Sequence, residues 1–206
     1  MVKARPQMKL LLVSVLSSNS RRKAFRLSTL ALLWCAAIAA IIGARPVKSE
    51  VFYAQEEALK VAFPTATRVE PKTFVLTKEQ VERVAKLAET SVESSLFTFY
   101  VGYHDDILLG YAAIDSHRVR TMPETFMTIL SPEGIQERVV VLAFQEPPDY
   151  LASDRWLQQF KGKRLKDDLF PGRGIHGIVG STLTAHAMSA GVRKVLALYQ
   201  LLIKKE

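Results

Sequence analysis

The chain divides into an uncharged apolar run near its N-terminus and a longer region in which apolar and polar residues alternate. Residues 27–43 contain no charged side chain. Seventeen residues in a helix rise about 25 Å, close to the thickness of the hydrocarbon core of a bilayer. We therefore interpret residues 27–45 as a transmembrane anchor or a signal sequence. It lies between a basic N-terminal segment, residues 1–26, and a domain formed by residues 49–206.

Basic residues flank the apolar run asymmetrically. Four closely precede it and two follow it: Arg21, Arg22, Lys23, Arg26, Arg45 and Lys48. The positive-inside tendency then predicts a cytoplasmic N-terminus and a C-terminal domain on the periplasmic side of the cytoplasmic membrane. An uncleaved single-pass anchor is our preferred interpretation. Cleavage is the alternative, because small residues around Gly43 suit a signal peptidase.

The net charge of +8 comes from the N-terminal segment. Residues 1–48 hold nine of the 28 basic residues and no acidic one, which leaves 19 basic and 20 acidic residues in the rest of the chain. The domain therefore has no basic surface of the kind that binds nucleic acid. Cys35 is the only cysteine, so an intrachain disulfide is excluded.

Helix and strand patterns alternate through the first half of the domain. We predict an amphipathic helix over residues 51–63, ended by Pro64, and a strand followed by a turn within residues 66–76. Thr77 and Gln80 form a capping box, which predicts the start of a helix that ends near Thr90.

Two hairpins are predicted next. Residues 96–103 and 107–114 flank a polar turn at residues 104–106, and residues 126–130 and 135–144 flank Ser-Pro-Glu-Gly at 131–134. The run from Val139 to Phe144 is apolar throughout, as is typical of a central strand. Helices and antiparallel strands in this order predict an α+β fold, with helices packed on a twisted antiparallel sheet.

The C-terminal quarter is predicted to hold a short helix, a charged loop and a long helix. The short helix covers residues 153–160, with Trp156, Leu157 and Phe160 facing inward, and the loop covers residues 161–174. The long helix covers residues 181–203 and carries an apolar stripe at steps of three and four: Thr184, Met188, Gly191, Val195, Leu198 and Leu202. The same periodicity predicts that His186, Arg193 and Gln200 face solvent.

The stretch from Gly177 to Ala185, directly before this long helix, carries the chemistry of the chain. It contains two glycines and three hydroxyl residues. Ser181 or Thr182 is expected to cap the helix, and the free amides and dipole of its first turn favour an anion such as phosphate. An ordinary helix cap after a glycine-rich loop is the simpler alternative.

Residues 180–184, Gly-Ser-Thr-Leu-Thr, resemble the S/T-G-A-T-x-T segment of FMN-binding domains. Such domains occur in subunits of the bacterial sodium-pumping NADH:quinone oxidoreductase, in related ferredoxin-linked electron-transport complexes, and in membrane-anchored extracytoplasmic flavoproteins. Other family features follow in the same order along the chain: Gly110-Tyr111, Glu124-Thr125, Glu146-Pro147-Pro148 and the aromatic residues of 156–160.

The resemblance implies a membrane-anchored electron-transfer carrier. It assigns a covalent phosphoester with FMN to Thr184, made by a flavin transferase, and places Gly180, Ser181, Thr182 and Leu183 around the phosphate. Glu146 and Pro147 are expected near the flavin ring. The expected partners are the cytoplasmic membrane and a redox protein or membrane electron-transport complex.

Three residues depart from the family motif: His176 stands in place of Asp, Val179 in place of Ser/Thr, and Ser181 in place of Ala. These departures leave two alternatives to the electron carrier. One is an anchored binding module without flavin, and the other is a flavin-dependent reductase of a small extracytoplasmic substrate. The sequence offers no catalytic residue set and no metal-ligand spacing.

Overall fold

The computed structural model describes residues 50–204, which form six strands, four α-helices and two short 3₁₀ turns. The strands are β1 (Glu50–Val51), β2 (Arg68–Val75), β3 (Leu96–His104), β4 (Ile107–Arg118), β5 (Pro123–Leu130) and β6 (Gln136–Phe144). The helices are α1 (Gln55–Ala62), α2 (Lys78–Ala88), α3 (Asp154–Leu157) and α4 (Thr182–Leu202). The predicted basic segment and membrane helix lie outside the described residues. Within 50–204, no helix combines the length and the apolar character needed to cross a membrane.

All six strands join one antiparallel sheet in the order β1-β6-β5-β4-β3-β2. One face packs against α2, α3 and α4 around residues such as Phe99, Phe126 and Leu196, and the other packs against α1 around Met127 and Leu142. The predicted α+β class and its antiparallel sheet are confirmed.

The N-terminal part of the domain differs from expectation at two places. Helix α1 begins at Gln55 rather than at residue 51, because Val51 pairs with Ala143 in the sheet. Strand β2 continues through Pro71 instead of ending in a turn there. A proline is tolerated because β2 is an edge strand, where one side of the backbone needs no partner.

The capping box of α2 is confirmed. Gln80 N donates to Thr77 Oγ1 at 3.2 Å, and Thr77 N donates to Gln80 Oε1 at 2.9 Å. The helix ends slightly before the expected position, at Glu89, whose φ of 49° is left-handed. Both hairpins form as predicted, with Asp105 at φ 52° and Gly134 at φ 73° in their turns.

The apolar run of β6 suggested a central strand, but β6 lies next to the edge of the sheet. Its outer neighbour is only the two-residue β1. The run is apolar because both faces of β6 are covered: Val139 packs on the α4 side, whereas Val140 and Leu142 pack on the α1 side. Burial on both faces therefore produced the pattern that we read as a central position.

Arg193 was predicted to face solvent, and this was wrong, since the residue is only 7% exposed. Its Nε donates to the Ala88 carbonyl at 2.7 Å, and its other guanidinium nitrogens donate to the Leu169 and Glu89 carbonyls at 3.4 Å. The guanidinium lies 3.9 Å from the centre of the Phe170 ring. Arg193 thereby joins the C-terminus of α2 to the charged loop of residues 161–174.

The sheet is split between β3 and β4 at one end. Strand β3 pairs with β2 from Leu96 onward, but with β4 only from Phe99, which lies opposite Ala113. Among the described residues 50–204, β5 is the only strand that pairs with residues 114–118 of β4. The split leaves a cleft between the start of β3 and the end of β4, beneath α4.

Candidate functional site

The start of α4 meets the segment that follows β6. Ser181 Oγ donates to the Asp149 carbonyl at 3.2 Å, and Thr184 Oγ1 donates to the Tyr150 carbonyl at 2.7 Å. These two contacts join the predicted flavin motif to the predicted Glu146-Pro147 loop. The structure thus brings together two stretches that lie more than thirty residues apart in the chain.

The first turn of α4 is not capped as the sequence predicted. Ser181 occupies the N-cap position, but its side chain accepts no hydrogen bond from the helix, and its hydroxyl donates to the Asp149 carbonyl. Its φ of −131° and ψ of 46° also differ from the extended conformation of a capping residue. The first-turn amides are therefore not satisfied by the N-cap side chain, and such amides form a site for an anion.

The loop before α4 leaves space at this site. Gly180 has φ +79°, and no atom lies within 4 Å of the position that a Cβ would take at Gly177 or Gly180. Val179 and Leu183 are both exposed apolar side chains. The backbone can therefore approach a ligand here without obstruction.

The two threonines of the motif differ in accessibility. Thr184 is only 1% exposed, and its hydroxyl is engaged with the Tyr150 carbonyl. Thr182, the first residue of α4, is exposed. The position that the resemblance assigned to FMN therefore lies beneath the 3₁₀ turn Pro148–Tyr150.

Glu146 holds the turn between β4 and β5. Its Oε1 accepts hydrogen bonds from the backbone amides of Arg120, Thr121 and Met122 at 3.2, 2.6 and 2.8 Å, and from the Thr121 hydroxyl at 3.3 Å. The hydrogen bond from the Met122 amide is the largest cause that lowers the pKa of Glu146, and the other amides add to it. Pro147 beside it is exposed. The Glu146 carboxylate thus holds residues 120–122 in place by hydrogen bonds, a role that the sequence did not predict.

Two hydrogen bonds fix the loop that leads into the motif. Trp156 Nε1 donates to the His176 carbonyl at 2.7 Å, and His176 N donates to Gln159 Oε1 at 2.7 Å. Trp156 and Phe160 are buried, as predicted. The short helix α3 therefore positions the residue at which the chain departs from the family Asp.

The cleft in the sheet, hereafter the sheet cleft, has a volume of about 790 Å³. Its walls are Leu96–Thr98 of β3 and Ile114–Arg118 of β4, and its roof is α4 at Ala187, Gly191 and Lys194. Alternate residues of β4 direct their amide and carbonyl groups toward the missing strand partner. The cleft combines a size typical of ligand sites with free main-chain polar groups.

An ion pair and a histidine–carboxylate contact lie at the sheet cleft, and sequence reasoning identified neither. Lys194 Nζ lies 2.6 Å from Asp115 Oδ2, and His117 Nε2 lies 2.9 Å from Glu124 Oε2. Asp115 and His117 are two residues apart in β4, so their side chains lie on the same face of the strand. Glu124 lies opposite His117 in β5. The sequence did carry one signal for the second contact. His117 and Glu124 lie at equal distances before and after the turn at residues 119–122, which places them opposite each other in a hairpin. Within residues 50–204, no group of three or more His, Cys, Asp or Glu side chains is placed to hold a metal ion.

No protein-family model matches the chain. The chain is similar to the G subunit of the Na(+)-translocating ferredoxin:NAD(+) oxidoreductase complex of Acetobacterium woodii, with 27% identity over 143 residues. The match covers 61% of this chain and 66% of the relative, just under two thirds of the relative's length. The resemblance to subunits of ferredoxin-linked electron-transport complexes is thereby confirmed.

Proposed function

We propose that this protein is an FMN-binding electron-transfer subunit, anchored in the cytoplasmic membrane with its domain on the periplasmic side. The open first turn of α4, within a segment that resembles the flavin motif, is the observation that carries the proposal. Similarity to a subunit of a ferredoxin-linked complex supports an electron-transfer role and a redox complex as partner. The membrane anchor is inferred from residues 27–45 alone.

The residues at the start of α4 suit the phosphate of FMN. The helix dipole and the amides that the Ser181 side chain does not cap attract negative charge, and the glycines at 177 and 180 leave room for the oxygens. Backbone amides of Gly180, Thr182 and Leu183 would form the cradle, and the Ser181 amide would join them only if it left the Ile178 carbonyl, to which it donates at 3.1 Å. Charge-assisted hydrogen bonds of this kind are about twice as strong as neutral ones.

A covalent phosphoester, formed by a flavin transferase, is the finer part of the proposal. The resemblance assigns it to Thr184, but linkage there requires displacement of the Tyr150 carbonyl from the threonine hydroxyl. Thr182 offers an exposed hydroxyl on the same helical turn. We therefore propose Thr182 as the attachment position in the conformation described, and Thr184 as the position that needs the Pro148–Tyr150 turn to open.

The sheet cleft is the proposed site of the flavin ring. Ala187 and Gly191 follow Thr184 at steps of three and four, so a flavin linked at Thr184 would follow one face of α4 to the roof of the cleft, whereas a flavin linked at Thr182 would reach it around the first turn of the helix. The free main-chain groups of residues 114–118 could pair with the polar edge of the ring. Glu146 and Pro147 would support this end of the sheet. FMN accepts and releases electrons, and the protein supplies binding, orientation and electrostatics.

A flavin-free binding module is the competing function, favoured by the buried Thr184 and by His176 in place of the motif Asp. Intact mass spectrometry of the full-length protein, co-expressed with a flavin transferase and exported, separates the two. We expect an added mass of one FMN less one water, retained in Thr184→Ala and lost in Thr182→Ala. Retention in Thr182→Ala and loss in Thr184→Ala would assign the linkage to Thr184.

Two further outcomes limit the proposal. An unmodified mass in a yellow protein would mean that FMN binds without a covalent link. An unmodified and colourless protein would refute the flavin function and favour the binding module. Ser153→Ala serves as the control, since Ser153 is a hydroxyl residue that caps α3 and lies outside the motif.

A further inference from the structure

Glu124 and His117 form a buried pair whose remaining polar atoms have no partner. Glu124 is 0% exposed, and its Oε2 lies 2.9 Å from His117 Nε2. Glu124 Oε1 and His117 Nδ1 are buried and have no hydrogen-bond partner among residues 50–204. The His117 ring lies 5.0 Å from the Phe126 ring and forms part of the wall of the sheet cleft.

Such an arrangement is costly if it serves only the fold. A buried polar atom without a partner destabilises the folded protein, and more so if it is charged. Substitution of the pair by apolar residues of similar volume is often neutral or stabilising in proteins. The pair therefore invites a functional explanation, and its position at the cleft wall supplies one.

We propose that His117, held by Glu124, takes up a proton from solvent when an electron arrives in the sheet cleft. This inference rests on the proposed FMN site and deepens it. In this role, protonated His117 places a positive charge near the flavin, and it exchanges no proton with the ring. Electron transfer by this subunit would then depend on pH.

The geometry specifies which atom takes the proton. In the neutral tautomer that fits the contact, Nε2–H donates to Glu124 Oε2 and Nδ1 keeps a free lone pair. Reduction by a reduced redox protein brings negative charge into the cleft. A proton from water then forms an N–H bond at Nδ1, and the imidazolium lies between that charge and the Glu124 carboxylate. The histidine side chain is 16% exposed but Nδ1 itself is buried, so the proton reaches Nδ1 when the ring moves within its partly open position.

Four other charged side chains lie around His117 at the cleft. Asp115 on the same strand is paired with Lys194 of α4, so these two charges largely cancel. Arg118 on β4 and Glu93 of the loop before β3 also line the cleft. Of these groups, His117 is the one whose ordinary titration range spans physiological pH.

The test follows the histidine and the flavin separately in the full-length, FMN-loaded protein. NMR titration gives the pH midpoint of the His117 imidazole signals in the oxidised and the dithionite-reduced states. Redox titration gives the midpoint potential of FMN between pH 5.5 and 8.5 for wild type, His117→Gln, Glu124→Gln and the control His186→Gln. His186 is an exposed residue of α4.

We expect the His117 midpoint to move to higher pH on reduction, and the His186 midpoint to stay unchanged. By linkage, the ratio of reduced to oxidised FMN at a fixed potential should fall about tenfold more across this pH range in wild type than in His117→Gln, which corresponds to a rise of about one pH unit in the His117 midpoint on reduction. His186→Gln should follow wild type.

Superimposable potential curves for wild type and His117→Gln, with FMN bound in both, would overturn this inference and leave the proposed function intact. An unchanged His117 midpoint on reduction would do the same, even if Glu124→Gln fails to fold. A protein that binds no FMN would instead refute the proposed function, and this inference with it.

Discussion

Replacement of Glu146 separates a structural role for this residue from a role beside the flavin. The carboxylate was expected near the ring, but its Oε1 accepts four hydrogen bonds from residues 120–122. The matched changes are Glu146→Ala, which removes the acceptor, and Glu146→Gln, which keeps an acceptor oxygen without charge. We expect both to destabilise the domain before they affect flavin binding.

The distances set the expected magnitude. Two of the hydrogen bonds, from Thr121 N and Met122 N, are short at 2.6 and 2.8 Å, and the other two are 3.2 and 3.3 Å. Hydrogen bonds to a charged group contribute about 1.5–3 kcal/mol each, and the two long ones contribute little. The free energy of unfolding should therefore fall by about 3 kcal/mol in Glu146→Ala and by about 1–2 kcal/mol in Glu146→Gln.

The pH dependence has a definite sign. The backbone amides, that of Met122 first, lower the pKa of Glu146 in the folded protein. Its contribution is therefore present above the pKa of a free glutamate, about 4.3, and is lost as pH falls through the lower folded pKa. The stability difference between wild type and Glu146→Gln should be constant from pH 6 to 8 and should shrink below about pH 4.

Urea unfolding of the full-length protein in detergent micelles, followed by circular dichroism, measures these differences. Glu137→Ala is the control, because Glu137 is exposed on β6 and has no side-chain hydrogen bond or ion pair within residues 50–204. A loss below about 0.5 kcal/mol in Glu146→Ala, together with a changed flavin spectrum, would refute the structural role and support contact with the ring.

Two further changes test the packing that supports the site. Arg193→Met should lower the free energy of unfolding by about 3 kcal/mol, because three carbonyls and the Phe170 ring lose their partner; an equal effect of the exposed Arg155→Met in the same urea assay would contradict this. Gly110→Ala should lower it by more than 2 kcal/mol, since its φ is +147° and a Cβ would overlap the Leu130 carbonyl. Gly162→Ala, at φ +78° with open space around it, should cost only about 1 kcal/mol in thermal unfolding, and similar losses for both glycines would refute the steric argument.

Local patterns predicted the elements of the fold, whereas neighbours in space decided their positions. The capping box at Thr77 and the turn signals of both hairpins act over a few residues, so sequence alone located them. The place of β6 in the sheet depends on which strand covers its edge, and an apolar run records burial on two faces but not strand order. Arg193 shows the same limit. Helix periodicity predicted which side of α4 this residue faces, but not that α2 and the 161–174 loop cover that side.

The site was predictable to the extent that its residues are contiguous. The glycine and hydroxyl residues before α4 were found because they adjoin one another, and the meeting with residues 149–150 was suggested only by the order of family features. Glu124 was noted as one of the family features, but its pairing with His117 was not predicted. Their pairing depends on the register of β4 with β5, which places them opposite each other.

The two threonines of the motif show why helical position alone could not select the attachment site. Residues two apart on a helix are separated by about 200° around its axis, so Thr182 and Thr184 must point to different sides. The apolar stripe correctly predicted that Thr184 faces inward, and a hydroxyl facing inward can either contact a ligand or bond to a neighbouring carbonyl. The segment after β6 resolves this choice in the described conformation, because the Tyr150 carbonyl accepts from Thr184 while Thr182 stays exposed. The proposed covalent link therefore requires either the exposed hydroxyl of Thr182 or movement of the Pro148–Tyr150 turn away from Thr184.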